Sequence, residues 1–196
     1  IYLSSGTWSL MGIESAEPII NAQSLAFNAT NEGAASGGFR VLKNIMGMWL
    51  LQECRREWAA AGNEHSYADL TAQAAAAPAF RSLIRPSDAQ FLYASEPGRT
   101  MTGRIQAACR DTGQPVPETP GEVTRCILES LALEYRATAE QMDALRGSAL
   151  PAIHIVGGGS RNALLNQLTA DATGRTVVAG PVEATALGNV LVQAVA

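Results

Sequence analysis

The stretch Ala152-Ile153-His154-Ile155-Val156-Gly157-Gly158-Gly159-Ser160-Arg161-Asn162 decides how the chain is read. It opens as a short apolar run rich in β-branched residues, the composition of a buried strand. Three glycines then make a turn, and residues 162–173 read as a helix that Gly174 closes. Residues 176–179 form another strand, and a final helix starts at Glu183. Strand and helix therefore alternate at this end of the chain, which calls for a sheet with helices packed against it.

Upstream of that stretch the pattern is β-rich. Residues 2–5 and 8–13 are β-prone and separated only by Gly6-Thr7, the spacing of a tight hairpin. A further β-prone piece at 27–30 ends in Asn31-Glu32-Gly33, and Gly37-Gly38 leads into another at 39–42. From Asn44 the period changes. Ile45, Met48, Trp49, Leu51-Gln52 and Trp58 recur at three- and four-residue spacing until Gly62, which predicts a helix starting at Asn44. An Ala-rich helix at 67–77 follows. Pro78, Pro86 and Pro97 then punctuate an irregular crossing with Phe91-Leu92-Tyr93 as its apolar plug, and residues 102–110 return to helix. Thr119-Pro120-Gly121-Glu122 is a capping box with Pro at the first helical position, opening a long helix. Val123, Ile127, Leu131, Tyr135, Met142 and Leu145 mark its buried stripe, and Gly147 is placed to cap it. Strands first, then strand and helix in alternation, give an α/β fold with a mixed sheet and helices on its faces.

With 196 residues the chain fits one domain at about 150 residues each. It is 47% hydrophobic and 16% charged, against about 25% charged in typical domains, with mean hydropathy +0.04, so it should fold rather than remain disordered. Fourteen basic against eighteen acidic side chains give −4 and a pI near 5.2, which argues against nucleic acid or anionic lipid as partner. The apolar run 45–51 is far below the roughly 18 residues of a membrane span. Cys54, Cys109 and Cys126 suit neither a disulfide framework nor a C-x-x-C site and point to a reducing cytoplasm. Cys109 and Cys126 can meet across a helical hairpin, but that compartment favours free thiols. Opening on Ile1 in strand character and stopping at Ala196 in a helical pattern, the chain reads as a fragment of a longer parent.

Several residues carry candidate chemistry. A glycine turn between strand and helix lets a ligand approach the backbone and presents helix N–H groups to an anion or ribose. The frame is not a P-loop, because it has no Lys, nor the dinucleotide fingerprint, because Asn162 stands where its third glycine belongs. An ordinary tight turn has the same appearance. The Ser4-Ser5-Gly6-Thr7 hairpin can offer N–H groups and a hydroxyl to phosphates from across a cleft, and two such turns can clamp one nucleotide. Asn44 alone reads as a helix N-cap and Gln52 as a polar residue on a solvated helix side. His65 falls in a loop, and His154 inside its apolar strand reads as a satisfied structural histidine. Two histidines and scattered cysteines build no metal cluster.

Five segments together are recognisable: Tyr-Leu-Ser-Ser-Gly-Thr-Trp-Ser-Leu-Met-Gly at 2–12, Thr-Asn-Glu-Gly at 30–33, Arg-Val-Leu-Lys-Asn-Ile-Met-Gly-Met-Trp-Leu-Leu-Gln at 40–52, Val-Gly-Gly-Gly-Ser-Arg-Asn at 156–162, and Gly-Pro-Val-Glu-Ala-Thr-Ala-Leu-Gly-Asn at 180–189. They resemble the C-terminal domain of the FGGY carbohydrate kinases, within the actin/hexokinase/Hsp70-like (ribonuclease H-like) ATPase fold. The hairpin and the Leu-Lys-Asn-Ile-Met-Gly segment resemble the rhamnulokinase branch in particular. The resemblance covers nearly all of residues 1–196. It implies ATP and Mg²⁺ as cofactors and a small ketose, L-rhamnulose, as substrate. It places Thr7 against the ATP phosphates, Gln52 and Gly158 against the nucleotide, Gly157, Gly159 and Asn162 beside them, and Asn44 on the sugar. It puts the general base, an Asp, upstream of Ile1, and an N-terminal sugar-binding domain and a short C-terminal tail outside the sequence, so the fragment alone is expected to be inactive. The competing readings are an FGGY kinase for L-fuculose or D-xylulose, and a non-catalytic actin-like nucleotide-binding module.

Overall fold

The structure, a computed structural model, describes residues 1–35 and 37–195. The first hairpin joins β1 (Tyr2–Ser5) to β2 (Trp8–Ser15), antiparallel, with Ser5 opposite Ser9. A short helix α1 (Ala22–Ala26) follows, closed at its start by reciprocal bonds between Asn21 and Ser24. The next strands are β3 (Thr30–Gly33) and β4 (Phe39–Met46). Helices α2 (Trp49–Ala60), α3 (Tyr67–Ala76), α4 (Met101–Asp111) and α5 (Pro120–Arg146) then build the helical layer. The chain ends in β5 (Ala152–Val156), α6 (Ala163–Thr173), β6 (Thr176–Ala179) and α7 (Ala184–Val195); the final residue of the expected last helix, Ala196, lies outside the described residues.

The six strands form one mixed sheet in the order β3-β4-β2-β1-β5-β6. β1 pairs parallel to β5, and β5 parallel to β6, while the other neighbours are antiparallel. Leu3, Met11, Ile45, Ile153 and Ile155 bury one face against Ile127, Leu128 and Leu131 of α5 and Leu165 of α6. The opposite face of the sheet carries Trp8, Asn44, His154 and Val178, all exposed.

Local signals translate directly into structure at the long helix. Thr119 accepts from Glu122 N–H while Glu122 Oε2 accepts from Thr119 N–H, and Gly147 closes α5 at φ +82, a conformation glycine adopts without strain. Gly174 does the same for α6.

Elsewhere the structure revises the sequence reading. The third strand lies at Thr30–Gly33, not 27–30, because its ladder to β4 pairs Thr30 with Leu42 and Gly33 with Phe39. The helix expected from Asn44 starts at Trp49: β2 is long enough to pair with every residue of β4 out to Met46, so Asn44 and Ile45 remain in the sheet. His154 is exposed on the sheet face opposite the core, not packed inside it. Of the apolar plug only Phe91 is buried, whereas Leu92 and Tyr93 are exposed. The crossing itself is tied down by charge. Arg104, nearly buried, donates to the carbonyls of Gln90, Tyr93 and Ala94 at 2.6, 2.9 and 3.0 Å, and Glu57 accepts from Met101 and Thr102 N–H at the start of α4. Cys54, Cys109 and Cys126 are free and buried. The neighbouring Cys126 thiol holds the Cys109 thiol below its ordinary value, and Cys109 together with burial pushes the Cys126 thiol up.

Candidate nucleotide and sugar site

β1 and β5 are neighbouring parallel strands with Ser4 opposite Val156, so their carboxyl ends lie side by side. β1 runs into the Gly6-Thr7 turn and β5 into the glycine turn. Loops beyond the carboxyl ends of parallel strands are where open α/β sheets form their ligand crevices. The two turns that sequence reading singled out are thus brought to one end of the sheet.

The hairpin turn is held from behind. Gly6 and Thr7 carbonyls accept from Met48 N–H at 2.9 Å and Trp49 N–H at 3.0 Å. The first N–H groups of α2, which a helix normally leaves unpaired, are therefore committed to the turn and not offered to an anion. Thr7 itself is exposed. Gln52 lies on α2, its N–H bonded to Met48 carbonyl, and is half-buried.

The three glycines differ in what they do. Gly157 has φ +85, and a Cβ there would stand 2.8 Å from Ser5 carbonyl oxygen. At Gly159 a Cβ would collide with the Ser5 side chain, 2.7 Å from its Cβ. Both glycines let the turn pack on the end of β1. Gly158 has nothing within 4 Å of where its side chain would be, and it is exposed. Packing explains two glycines and leaves open space beside the third. Asn162 caps α6: its Oδ1 accepts from Leu165 N–H at 3.0 Å. That acceptor is thereby occupied within the protein.

Asn44 lies on the strand that leads to α2, two residues before the Met46 that pairs with Trp8. It is exposed on β4 opposite Leu10, on the sheet face that also carries Trp8, and so has no helix to cap. Thr7, Gln52, Gly158 and Asn162 include no carboxylate, and among the described residues no three His, Cys, Asp or Glu side chains are grouped to hold a metal. The residues fit a nucleotide; a cation accompanying it would be held by phosphate oxygens.

All of residues 1–196 match the model of the FGGY family of carbohydrate kinases, C-terminal domain. The chain belongs to the FGGY carbohydrate kinases. Rhamnulokinases from Bacteroides thetaiotaomicron and Enterobacter sp. are each 52% identical to it over 193 and 192 residues, covering 98% of this chain. It spans 38% of the length of each. This FGGY domain also superposes on a xylulose kinase from Rhodospirillum rubrum at TM-score 0.65 and 20% identity, over 90% of this chain and 33% of that one. A Plasmodium falciparum glycerol kinase solved with ADP gives TM-score 0.58 at 14% identity, over 97% and 37%. These structures share the fold, that of an actin/hexokinase-like ATPase domain.

Sequence reading missed the residues that seat the turn. Gly47, between β4 and α2, and Ser9 show no spacing signal that marks them, and helical spacing marks Tyr135 as buried without showing its bond to Ser9.

Proposed function

We propose that this chain is the nucleotide-binding part of an ATP-dependent ketose kinase that forms L-rhamnulose 1-phosphate from L-rhamnulose. The observation that carries the nucleotide reading is the convergence of the Gly6-Thr7 and Gly157–159 turns at the carboxyl ends of β1 and β5, with open space at Gly158. The substrate reading is supported by 52% identity to rhamnulokinases. Thr7 donates its hydroxyl to the phosphates, Gly158 lies against the nucleotide, Gln52 contacts it from α2, and Gly157, Gly159 and Asn162 shape the turn around it. Asn44 reads a sugar hydroxyl from the exposed face of β4. Mg²⁺ bound to ATP neutralises charge on the β- and γ-phosphates. The ketose hydroxyl oxygen bonds to the γ-phosphorus as the bond to the β-phosphate oxygen breaks. Its proton passes to an Asp supplied by a part of the parent outside residues 1–196.

That parent supplies a second domain as well. From Ala184 to Ala194 α7 carries no charged residue, and Leu187, Val190, Leu191 and Val192 are exposed. An isolated helix of about 12 residues is marginal in water, and one apolar over most of its circumference is normally buried. These features support a face covered by the rest of the parent polypeptide. The reading places the enzyme in the cytoplasm, where free thiols persist.

The test is turnover by the full-length parent, followed as ADP release with Mg·ATP and equal concentrations of L-rhamnulose, L-fuculose and D-xylulose. Preference for L-rhamnulose is expected, with no turnover by residues 1–196 alone. Preference for another ketose moves the substrate within the family, and no turnover with any sugar returns the chain to a non-catalytic nucleotide-binding module.

A further inference from the structure

Gly47 is buried where β4 gives way to α2, and the atoms nearest a side chain there belong to the hairpin. The three atoms nearest a Cβ at this position are Gly6 carbonyl oxygen at 2.7 Å, Ser9 Oγ at 2.8 Å and Thr7 carbonyl oxygen at 2.8 Å. Gly121 makes a contrast: a Cβ there would meet Gln73, so that glycine serves the packing of α3 on α5. The same two carbonyls that crowd Gly47 are the acceptors for Met48 and Trp49 N–H. One added methyl cannot be accommodated without pushing the turn off the first turn of α2.

We infer that Gly47 is a positioning residue: its bare Cα lets the Gly6-Thr7 turn seat on α2, and the seat fixes where Thr7 meets the phosphates. The inference rests on the proposed role of Thr7. It makes the β4–α2 junction a determinant of phosphate alignment through its contact with the Gly6 and Thr7 carbonyls. Phosphoryl transfer depends on in-line positioning, so a shift of the turn acts on the chemical step more than on sugar binding.

The experiment uses the full-length parent and steady-state kinetics with Mg·ATP and L-rhamnulose. Gly47→Ala is compared with Leu70→Ala, a core deletion on α3, as a control for lost stability. Gly47→Ala is expected to lower kcat by about 100-fold, the effect of an ångström-scale misplacement, with KM for the ketose within about twofold. A kcat for Gly47→Ala equal to that of Leu70→Ala overturns the inference. Should Gly47→Ala fail to fold, hydrogen exchange on the wild-type parent decides. Met48 and Trp49 amides are expected to exchange as slowly as the interior of α2, and rapid exchange overturns the seat. Thr7→Ala separates the two readings. If it leaves ATP kinetics unchanged, the phosphate role of the hairpin fails, whereas an impaired Thr7→Ala beside a normal Gly47→Ala fails the seat alone.

Discussion

The hydroxyls of Ser9 and Tyr135 meet at 2.7 Å, joining β2 to the middle of α5 across 126 positions of sequence, with both side chains fully buried. Ser9 lies two residues past Thr7, so this bond anchors the strand that carries the candidate phosphate-facing turn to the longest helix of the core. Two hydroxyls in an apolar interior are stable only because each satisfies the other.

Removing one of them exposes that dependence. Tyr135→Phe keeps the ring and its packing but leaves Ser9 Oγ without its partner, an expected loss of about 1–3 kcal/mol. The double variant Tyr135→Phe/Ser9→Ala removes both ends and should recover part of the loss. Urea denaturation of the parent and both variants checks this; equal stability of all three would show that the bond contributes nothing.

Alkaline pH tests the two buried phenols. Burial raises the Tyr135 phenol above its ordinary value of 10.0, against smaller opposing effects of Ser9 and Ser5, and burial raises Tyr2 to about 12. Above pH 10 the unfolded chain releases these protons while the folded chain retains them, so the unfolded state binds fewer protons and stability falls as pH rises. The stabilising effect is complete below pH 10, and for Tyr2 it is lost between 10 and about 12. Thermal melts across that window should show a decline that Tyr2→Phe makes shallower.

The glycine turn separates packing from ligand contact. Gly157→Ala forces a side chain into φ +85 against Ser5, and Gly159→Ala collides with the Ser5 side chain, so both are expected to lower the melting temperature. Gly158→Ala meets open space and should change stability by no more than about 0.5 kcal/mol. It should nevertheless raise KM for ATP, because the methyl occupies the space proposed for the nucleotide. An unchanged KM for ATP would remove Gly158 from the site.

How far the sequence was legible follows from the range of the interactions. The Thr119–Glu122 box, Gly147 and Gly174 act within a turn of their own helices and were readable from their neighbours. The end of β4 was not. Ile45, Met48 and Trp49 have helical spacing, and only the length of β2, more than thirty residues earlier, keeps Asn44 and Ile45 in the sheet. His154 is a different case: it alternates with Ile153 and Ile155, so period 2 places it on the other face, and only reading the apolar run as buried on both faces put it inside. In the candidate site, both turns were visible as glycine signals. That the two turns could clamp one nucleotide was also expected, but the pairing that brings them together, β1 parallel to β5 across some 150 residues, was not readable from spacing. The committed acceptor of Asn162 and the seat at Gly47 likewise depend on hydrogen bonds and close contacts that spacing does not encode.

Asn44 provides the last prediction, and its corrected position sharpens it. As a helix cap its replacement would cost stability; on the exposed face of β4 its side chain caps nothing. Asn44→Ala should therefore leave the denaturation midpoint nearly unchanged. Loss of one hydrogen bond to the sugar, about 0.5–1.5 kcal/mol, corresponds to a rise in ketose KM of up to about tenfold. KM for ATP should remain constant, because the proposed contact of Asn44 is with the sugar alone. Steady-state kinetics of the parent with each substrate varied in turn separates the outcomes. A rise in the ATP KM alone would reassign Asn44 to the nucleotide, and no change in either would leave the sugar without a contact on this face of the sheet.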